Sequence, residues 1–258
     1  MSNAPLAERI AIVTGASAGI GEAIGRALAR AGARVVLNAR RADRLAELAE
    51  SINQQAGATV AVCAPGDCAD AEVVQFMLET ARRSFDAPAD LVVVNAGRGL
   101  DGSVLTSDPN QWEEMIRTNH IGAARLMRAA AREMIDRPAP ADRPRDIVVI
   151  GSVVGRNVSP FSSMYGSTKF AVAGLTEGLR REVAGKGVRV TLVMPGFVAS
   201  EFQAVAGYDP EWVRQVFEKI GPVLEPADVA RAVTFIAEQP PHVHMSEIMI
   251  RPTRQEYP

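Results

Sequence analysis

Along the chain, short runs of Val, Ile and Leu alternate with longer stretches in which apolar residues recur every three or four positions. The runs at 10–14, 34–39, 59–64, 91–95, 147–152, 189–194 and 248–250 are bounded by Gly, Pro, Asp or Asn. Continuous apolar segments of that length predict strands buried on both faces, as in parallel sheets. Between them, residues 19–31, 43–56, 70–85, 109–136, 165–184 and 226–238 carry helical patterning. A β-α-β-α-β order from residue 10 onward implies right-handed crossovers and an α/β fold with a doubly wound parallel sheet, helices on both faces. No repeat or low-complexity linker divides the chain. The Pro-rich stretch 137–145 joins a helix to a core strand and reads as a surface loop. We therefore expect one domain over 1–258, with its first half at about 8–150 and its second at about 147–250.

Two regions depart from this regular pattern. Segments 122–135 and 165–183 are apolar and Ala-rich around much of their circumference, more than a sheet face alone can cover. Such helices suggest packing across a subunit interface, in a homodimer or homotetramer. Residues 197–222 hold Phe197, Phe202, Tyr208, Trp212 and Phe217, five of the 13 aromatic residues. A long aromatic connection just after a strand's carboxyl end suggests a lid over an apolar substrate. The alternative is a helix packing its own aromatic face onto the domain.

Composition narrows the partners. Lysine and arginine total 28 against 30 acidic residues, a net charge of −2, and no run of like charge exceeds two residues. A nucleic-acid or membrane-surface binder would show a basic patch or tail, so neither partner is expected. No stretch approaches the 18 or so uninterrupted apolar residues of a transmembrane helix, and residues 1–9 lack the pattern of a signal peptide. Cys63 and Cys68 flank Pro65-Gly66 and form no disulfide framework, which fits a reducing, cytoplasmic setting. His242 and His244 follow Pro240-Pro241 without nearby cysteines or paired carboxylates; a surface turn is expected there, and no metal site.

The candidate chemistry begins where the first strand ends. Thr14-Gly15-Ala16-Ser17-Ala18-Gly19-Ile20-Gly21 runs straight into a helix. Glycines there let the backbone approach a pyrophosphate, and the helix amino terminus supplies free N–H groups and positive potential. The spacing differs from the G-x-G-x-x-G fingerprint. Taken with Asn95-Ala96-Gly97, Ser152, Tyr165-xxx-Lys169 and Pro195-Gly196, it resembles the short-chain dehydrogenase/reductase family, in order and spacing, over about residues 10–250. The likeness is to the compact single-domain subgroup. It implies a Rossmann-type sheet of about seven strands, a nicotinamide cofactor, and hydride transfer to or from a carbonyl or alcohol carbon.

Strand two ends in Asn38-Ala39-Arg40-Arg41. An NAD enzyme places an acid here for the ribose hydroxyls. Ala39 stands in its place, and Arg40 and Arg41 offer planar donors suited to a 2′-phosphate, which favours NADP(H) over NAD(H). The resemblance further implies that Asp67-Cys68 contacts the adenine, that Asn95, Ala96 and Gly97 back the cofactor ribose, and that Pro195, Gly196 and Val198 meet the carboxamide. Ser200 would touch the pyrophosphate. The glycine-rich turn contributes Gly15, Ser17, Ala18, Gly19, Ile20 and Gly21.

Tyr165 and Lys169 lie four apart on a predicted helix and so share one face. Carbonyl reduction needs a proton donor for the developing alkoxide, and a phenol of ordinary pKa ~10 is better matched to neutral pH beside a cation. With only three lysines and three tyrosines in the chain, that pairing is not casual. In the family's pattern Tyr165 and Lys169 also contact the cofactor, Ser152 polarises the substrate oxygen, and Asn119 supports a water relay to the lysine. Arg98 and Arg156 flank the expected cleft and are read as surface residues. These features point to an NADP(H)-dependent oxidoreductase acting on a small carbonyl or secondary alcohol, and residues 246–255 and 38–41 resemble the family branch that acts on small hydroxy acids and related alcohols. Two rivals stand beside it: a 3-oxoacyl-thioester reductase, and a non-catalytic NADP-binding sensor or scaffold.

Overall fold

Seven strands hydrogen-bond side by side in the order β3-β2-β1-β4-β5-β6-β7, every neighbouring pair parallel, in a computed structural model that describes residues 4–137, 143–157 and 159–257. They are β1 (Ile10–Thr14), β2 (Arg34–Asn38), β3 (Ala61–Cys63), β4 (Leu91–Val94), β5 (Arg145–Ile150), β6 (Val188–Pro195) and β7 (Glu247–Ile250). Side chains alternate between two cores. Ile10 and Ile12 of β1 and Ile147 and Val149 of β5 join one face, while Ala11, Val13, Val148 and Ile150 join the other. Both faces are covered, so the strands read as unbroken apolar runs.

Helices α1 (Gly19–Arg30), α2 (Ala42–Ala56) and α3 (Ala71–Phe85) connect the first four strands. Next come a 3₁₀ turn Pro109–Gln111, α4 (Trp112–Ile116), a π turn Arg117–Gly122 and α5 (Ala123–Ile135). The second half carries α6 (Ser163–Val183), α7 (Phe202–Ala206), α8 (Pro210–Ile220) and α9 (Pro226–Ala237). The strand order reverses between β1 and β4, and the crevice outside their carboxyl ends is where open α/β sheets bind ligands.

Three local differences from the sequence reading have physical causes. The helix expected over 109–136 is broken, because buried Asn119 spends its side chain on neighbours across the crevice and a π turn accommodates it. β5 begins two residues early and ends two early, so Ser152 lies beyond it, accepting from the Val154 N–H at 3.3 Å to start the 3₁₀ turn Val153–Gly155. Its early start is polar: Arg145 and Asp146 are buried, which an apolar-run criterion passes over. The expected Pro-rich loop falls in part on 138–142, outside the described residues.

Asp146 belongs to a buried charge cluster. Its carboxylate accepts from Arg9 at 2.8 Å and from Arg189 at 2.6 and 2.9 Å, and Arg9 also donates to Asp90 at 2.9 Å. These four residues stand at the amino-terminal ends of β1, β4, β5 and β6, opposite the crevice. At the edge of β6, His244 Nε2 sits 3.2 and 3.0 Å from the Val190 N–H and C=O, just before β7 takes up the pairing. No helix among the described residues is long and apolar enough to cross a membrane.

Candidate active site

The turn after β1 is built for close approach. Gly15 adopts φ 67°, and an added Cβ would lie 2.8 Å from Asn95 Nδ2; one on Gly21 would lie 2.3 Å from the Gly15 carbonyl oxygen. Asn95 in turn donates to Thr14 O at 2.8 Å, which fixes the carboxyl ends of β1 and β4 together. At the start of α1, Ala18 provides no side-chain cap, so the first-turn N–H groups face the crevice without a side-chain acceptor. Asn38 points its Nδ2 at Ala64 O and Gly66 O, while its Oδ1 is buried without a partner. A dinucleotide fits this donor-rich, glycine-lined wall.

The crevice opens into a cavity of about 1380 Å³. That exceeds the ~300–1,000 Å³ of an ordinary ligand pocket and leaves room for a dinucleotide and a small second molecule. It is lined by every candidate cofactor residue except Gly21, which packs behind the turn, and by every candidate catalytic residue except Asn119.

Tyr165 and Lys169 lie one turn apart on α6, both nearly fully buried. Lys169 Nζ donates to Ile150 O at 3.0 Å and stands 5.9 Å from the centre of the Tyr165 ring. Burial pushes the ammonium down to about 8. Burial also raises the phenol, Tyr208 adds to that, and a hydrogen bond with Ser152 opposes it. In the protein alone, then, the phenol keeps its proton, and the lowering expected of Lys169 does not appear beside these effects. Asn119 sits behind this group. Its Oδ1 accepts from the Arg98 N–H at 2.8 Å, and its Nδ2 donates to Arg98 O at 2.8 Å and to Thr168 Oγ1 at 3.0 Å.

These residues fall inside a match to the short chain dehydrogenase family model over residues 9–210. The chain belongs to the short chain dehydrogenase family. An uncharacterised oxidoreductase of Staphylococcus aureus strain MW2 is 33% identical over 247 residues, covering 96% of this chain and 98% of its own. The X-ray structure of an alcohol dehydrogenase from the archaeon Thermococcus sibiricus, complexed with 5-hydroxy-NADP, is 30% identical with a TM-score of 0.81, covering 97% and 99% of the two chains. The closed form of a serine dehydrogenase complexed with NADP⁺ is 30% identical with a TM-score of 0.83, covering 96% of each.

In this short chain dehydrogenase the charged candidates are all engaged. Arg40, exposed, donates to Glu114 at 3.2 Å; Arg41 donates to Ser17 at 3.0 Å and to Glu201 at 3.1 Å. Asp67 accepts from the Ala69 N–H at 2.9 Å and from Arg117 at 2.5 Å, an arrangement that holds its carboxyl below the ordinary range despite partial burial. Cys68 is buried beside it, and burial pushes its thiol up to about 11. Arg98, tied to Glu114 and Gln111, is only 16% exposed in its side chain and lines the cavity, so the surface reading does not hold for it; Arg156, tied to Glu247, is exposed.

The 197–222 connection forms α7 and α8, and residues flanking α7 pack on α8 through the contacts Phe197–Trp212, Phe197–Phe217 and Tyr208–Trp212 at 6.4, 6.2 and 5.5 Å. The aromatics pack on each other, yet Phe202, Tyr208 and Trp212 line the cavity, and Phe202 leans on Tyr165 at 5.5 Å. Sequence reasoning missed Thr168, Glu114 and Glu201. Thr168 was within reach, one residue before Lys169 on the helix. Glu201 had no local signal, since its partner Arg41 lies 160 residues away.

Proposed function

We propose that the protein is an NADP(H)-dependent oxidoreductase that moves a hydride between the nicotinamide and the carbon of a small carbonyl compound or secondary alcohol. The observation that carries this reading is the placement of Tyr165, Lys169 and the Ser152 hydroxyl in one cavity with the glycine-rich turn. The NADP-type ligands of the two 30% identical structures support it.

The bound nicotinamide supplies or accepts the hydride. Everything else falls to the protein. Ser152 donates to the substrate oxygen, where charge builds as the carbonyl carbon takes hydride. Tyr165 Oη gives its proton to that oxygen, and the raised pKa of the buried phenol keeps the proton available until then. Lys169 orients the ribose, stabilises the resulting phenolate by its charge and passes it a proton, which restores Tyr165 as the acid. Asn119, bridging the Arg98 backbone and Thr168, positions the water relay that returns a proton to Lys169. Arg40 and Arg41 take the 2′-phosphate, and the α1 amino terminus takes the pyrophosphate. The aromatic mouth selects a compact, largely apolar substrate.

The test is consumption of NADPH against a panel of ketones, β-keto acids and acyl thioesters. Turnover of the first two supports the reading. Turnover of thioesters alone points to acyl-carrier chemistry, and NADPH binding without turnover of anything points to a sensor.

A further inference from the structure

Glu201 reaches across the crevice. It follows Ser200, whose Cβ stands against Gly19, and its carboxylate bridges two cations of the opposite wall: Oε2 to Arg41 at 3.1 Å and Oε1 to Arg44 at 2.8 Å. Arg41 completes the group through its hydrogen bond to Ser17 of the glycine-rich turn. The two arginines hold the Glu201 carboxyl below its ordinary range, so it is ionised at neutral pH. Glu201 is also the residue that precedes α7, whose first residue, Phe202, rests on the Tyr165 ring. Arg40 has its own carboxylate, Glu114, which keeps Arg98 as a counter-ion when Arg40 turns away.

We propose that Glu201 determines cofactor specificity as a tethered competitor for the Arg41 guanidinium, which a ligand bearing a 2′-phosphate must displace and one without it need not. The inference rests on the reading above, that Arg41 takes the 2′-phosphate. Ser17 takes Nε and Glu201 takes Nη1 of Arg41, so a phosphate held by both donors of the end edge must displace Glu201, and an anion brought beside that carboxylate is repelled by it. Displacement leaves Glu201 on Arg44 alone and loosens the start of α7. A 2′-phosphate is thereby signalled to the cover of the catalytic tyrosine, at the expense of part of its own affinity.

The experiment uses adenosine 2′,5′-bisphosphate and 5′-AMP as probes, with calorimetric dissociation constants for the wild type, Glu201→Gln, Glu201→Ala and Arg41→Ala. Removing the competitor should tighten the bisphosphate roughly three- to fivefold, the size of an exposed ion pair, and leave 5′-AMP within twofold. The bisphosphate should also speed hydrogen exchange over residues 202–206 in the wild type, while 5′-AMP does not; in Glu201→Gln that exchange should be fast from the start. If Arg41→Ala weakens the bisphosphate selectively while both Glu201 variants bind it no more tightly than the wild type, the competition is refuted and the phosphate site stands. If Arg41→Ala weakens both probes equally, the phosphate site fails and the proposal fails with it.

Discussion

Tyr165 and Lys169 carry opposite consequences of the same burial. The phenol is held protonated, which suits an acid in reduction, so Tyr165→Phe removes the transferable proton and little else. Carbonyl reduction should fall at least about 100-fold, the lower end of general acid catalysis, while NADPH still binds; near-normal turnover in the variant would end the assignment. Lys169 is a buried cation whose pKa is depressed from 10.5 to about 8. Below pH 8 it is charged in both folded and unfolded chains, and the folded state bears the full desolvation cost. Between pH 8 and 10.5 the unfolded chain binds the proton more readily, so wild-type stability rises with pH. Relative to the wild type, Lys169→Met should therefore be about 3 kcal/mol better placed at pH 7 than at pH 10, at ~1.4 kcal/mol per unit, on top of a pH-independent cost for the lost bond to Ile150 O. Urea unfolding of the cofactor-free protein at both pH values measures it. The third residue-scale expectation concerns Arg40, which is 67% exposed in its side chain. Arg40→Ala should weaken NADPH more than NADH, though by less than Arg41→Ala, because Arg41 has Ser17 to hold its fork in place.

At the scale of elements, the π turn Arg117–Gly122 decides how α6 and the loop after β4 meet. Asn119→Ala removes three hydrogen bonds in a buried place and leaves the Arg98 backbone and Thr168 with unmet partners. A loss of about 1–3 kcal/mol is expected. Turnover should drop while the NADPH dissociation constant holds, since Asn119 does not line the cavity; equal losses in both would assign it a purely structural part. This element also shows what the chain discloses and what it hides. Strands and the helices α1, α2, α3 and α9 follow from apolar periodicity within a residue or two, because both sheet faces are buried. The break at Asn119 does not, since it arises from contacts with Arg98 and Thr168 far along the chain. The start of α8 was legible, though the alternative reading of 197–222 gave its helix no bounds: Asp209 accepts from the Glu211 and Trp212 N–H groups, and Pro210 opens the helix, a start signal in plain order. The candidate site was legible as motifs, whereas the ion pairs that engage Arg40, Arg41 and Asp67 were not.

At the scale of the whole molecule, α6 turns an unfilled face outward. Phe170 is 42% exposed on it, and Gly174 and Gly178 have open space where a side chain would stand. A bulky apolar residue beside small ones is a self-complementary surface, and we expect a two-fold pairing through it. Light scattering at micromolar concentration should report a dimer or tetramer, and Phe170→Glu should shift it towards monomer; a monomeric wild type would refute the pairing. The charge cluster gives a contrasting expectation. Asp146 is 1% exposed and pairs with both Arg9 and Arg189, so Asp146→Ala leaves the buried Arg189 without its carboxylate, with Arg9 keeping Asp90, and should cost about 3–5 kcal/mol, read from denaturant midpoints.

That cluster has a wider consequence. Arg9, Asp90, Asp146 and Arg189 clamp four neighbouring strands at the end of the sheet remote from the cavity. Of the loops at the other end, the one after β4 shares that duty at its first residue, through the Asn95 bond to Thr14 O. Insertions, deletions and exchanges beyond that residue, and after β5 and β6, can therefore remodel the mouth without unpicking the foundation, and a lineage built on this plan can change what it accepts while inheriting how it folds.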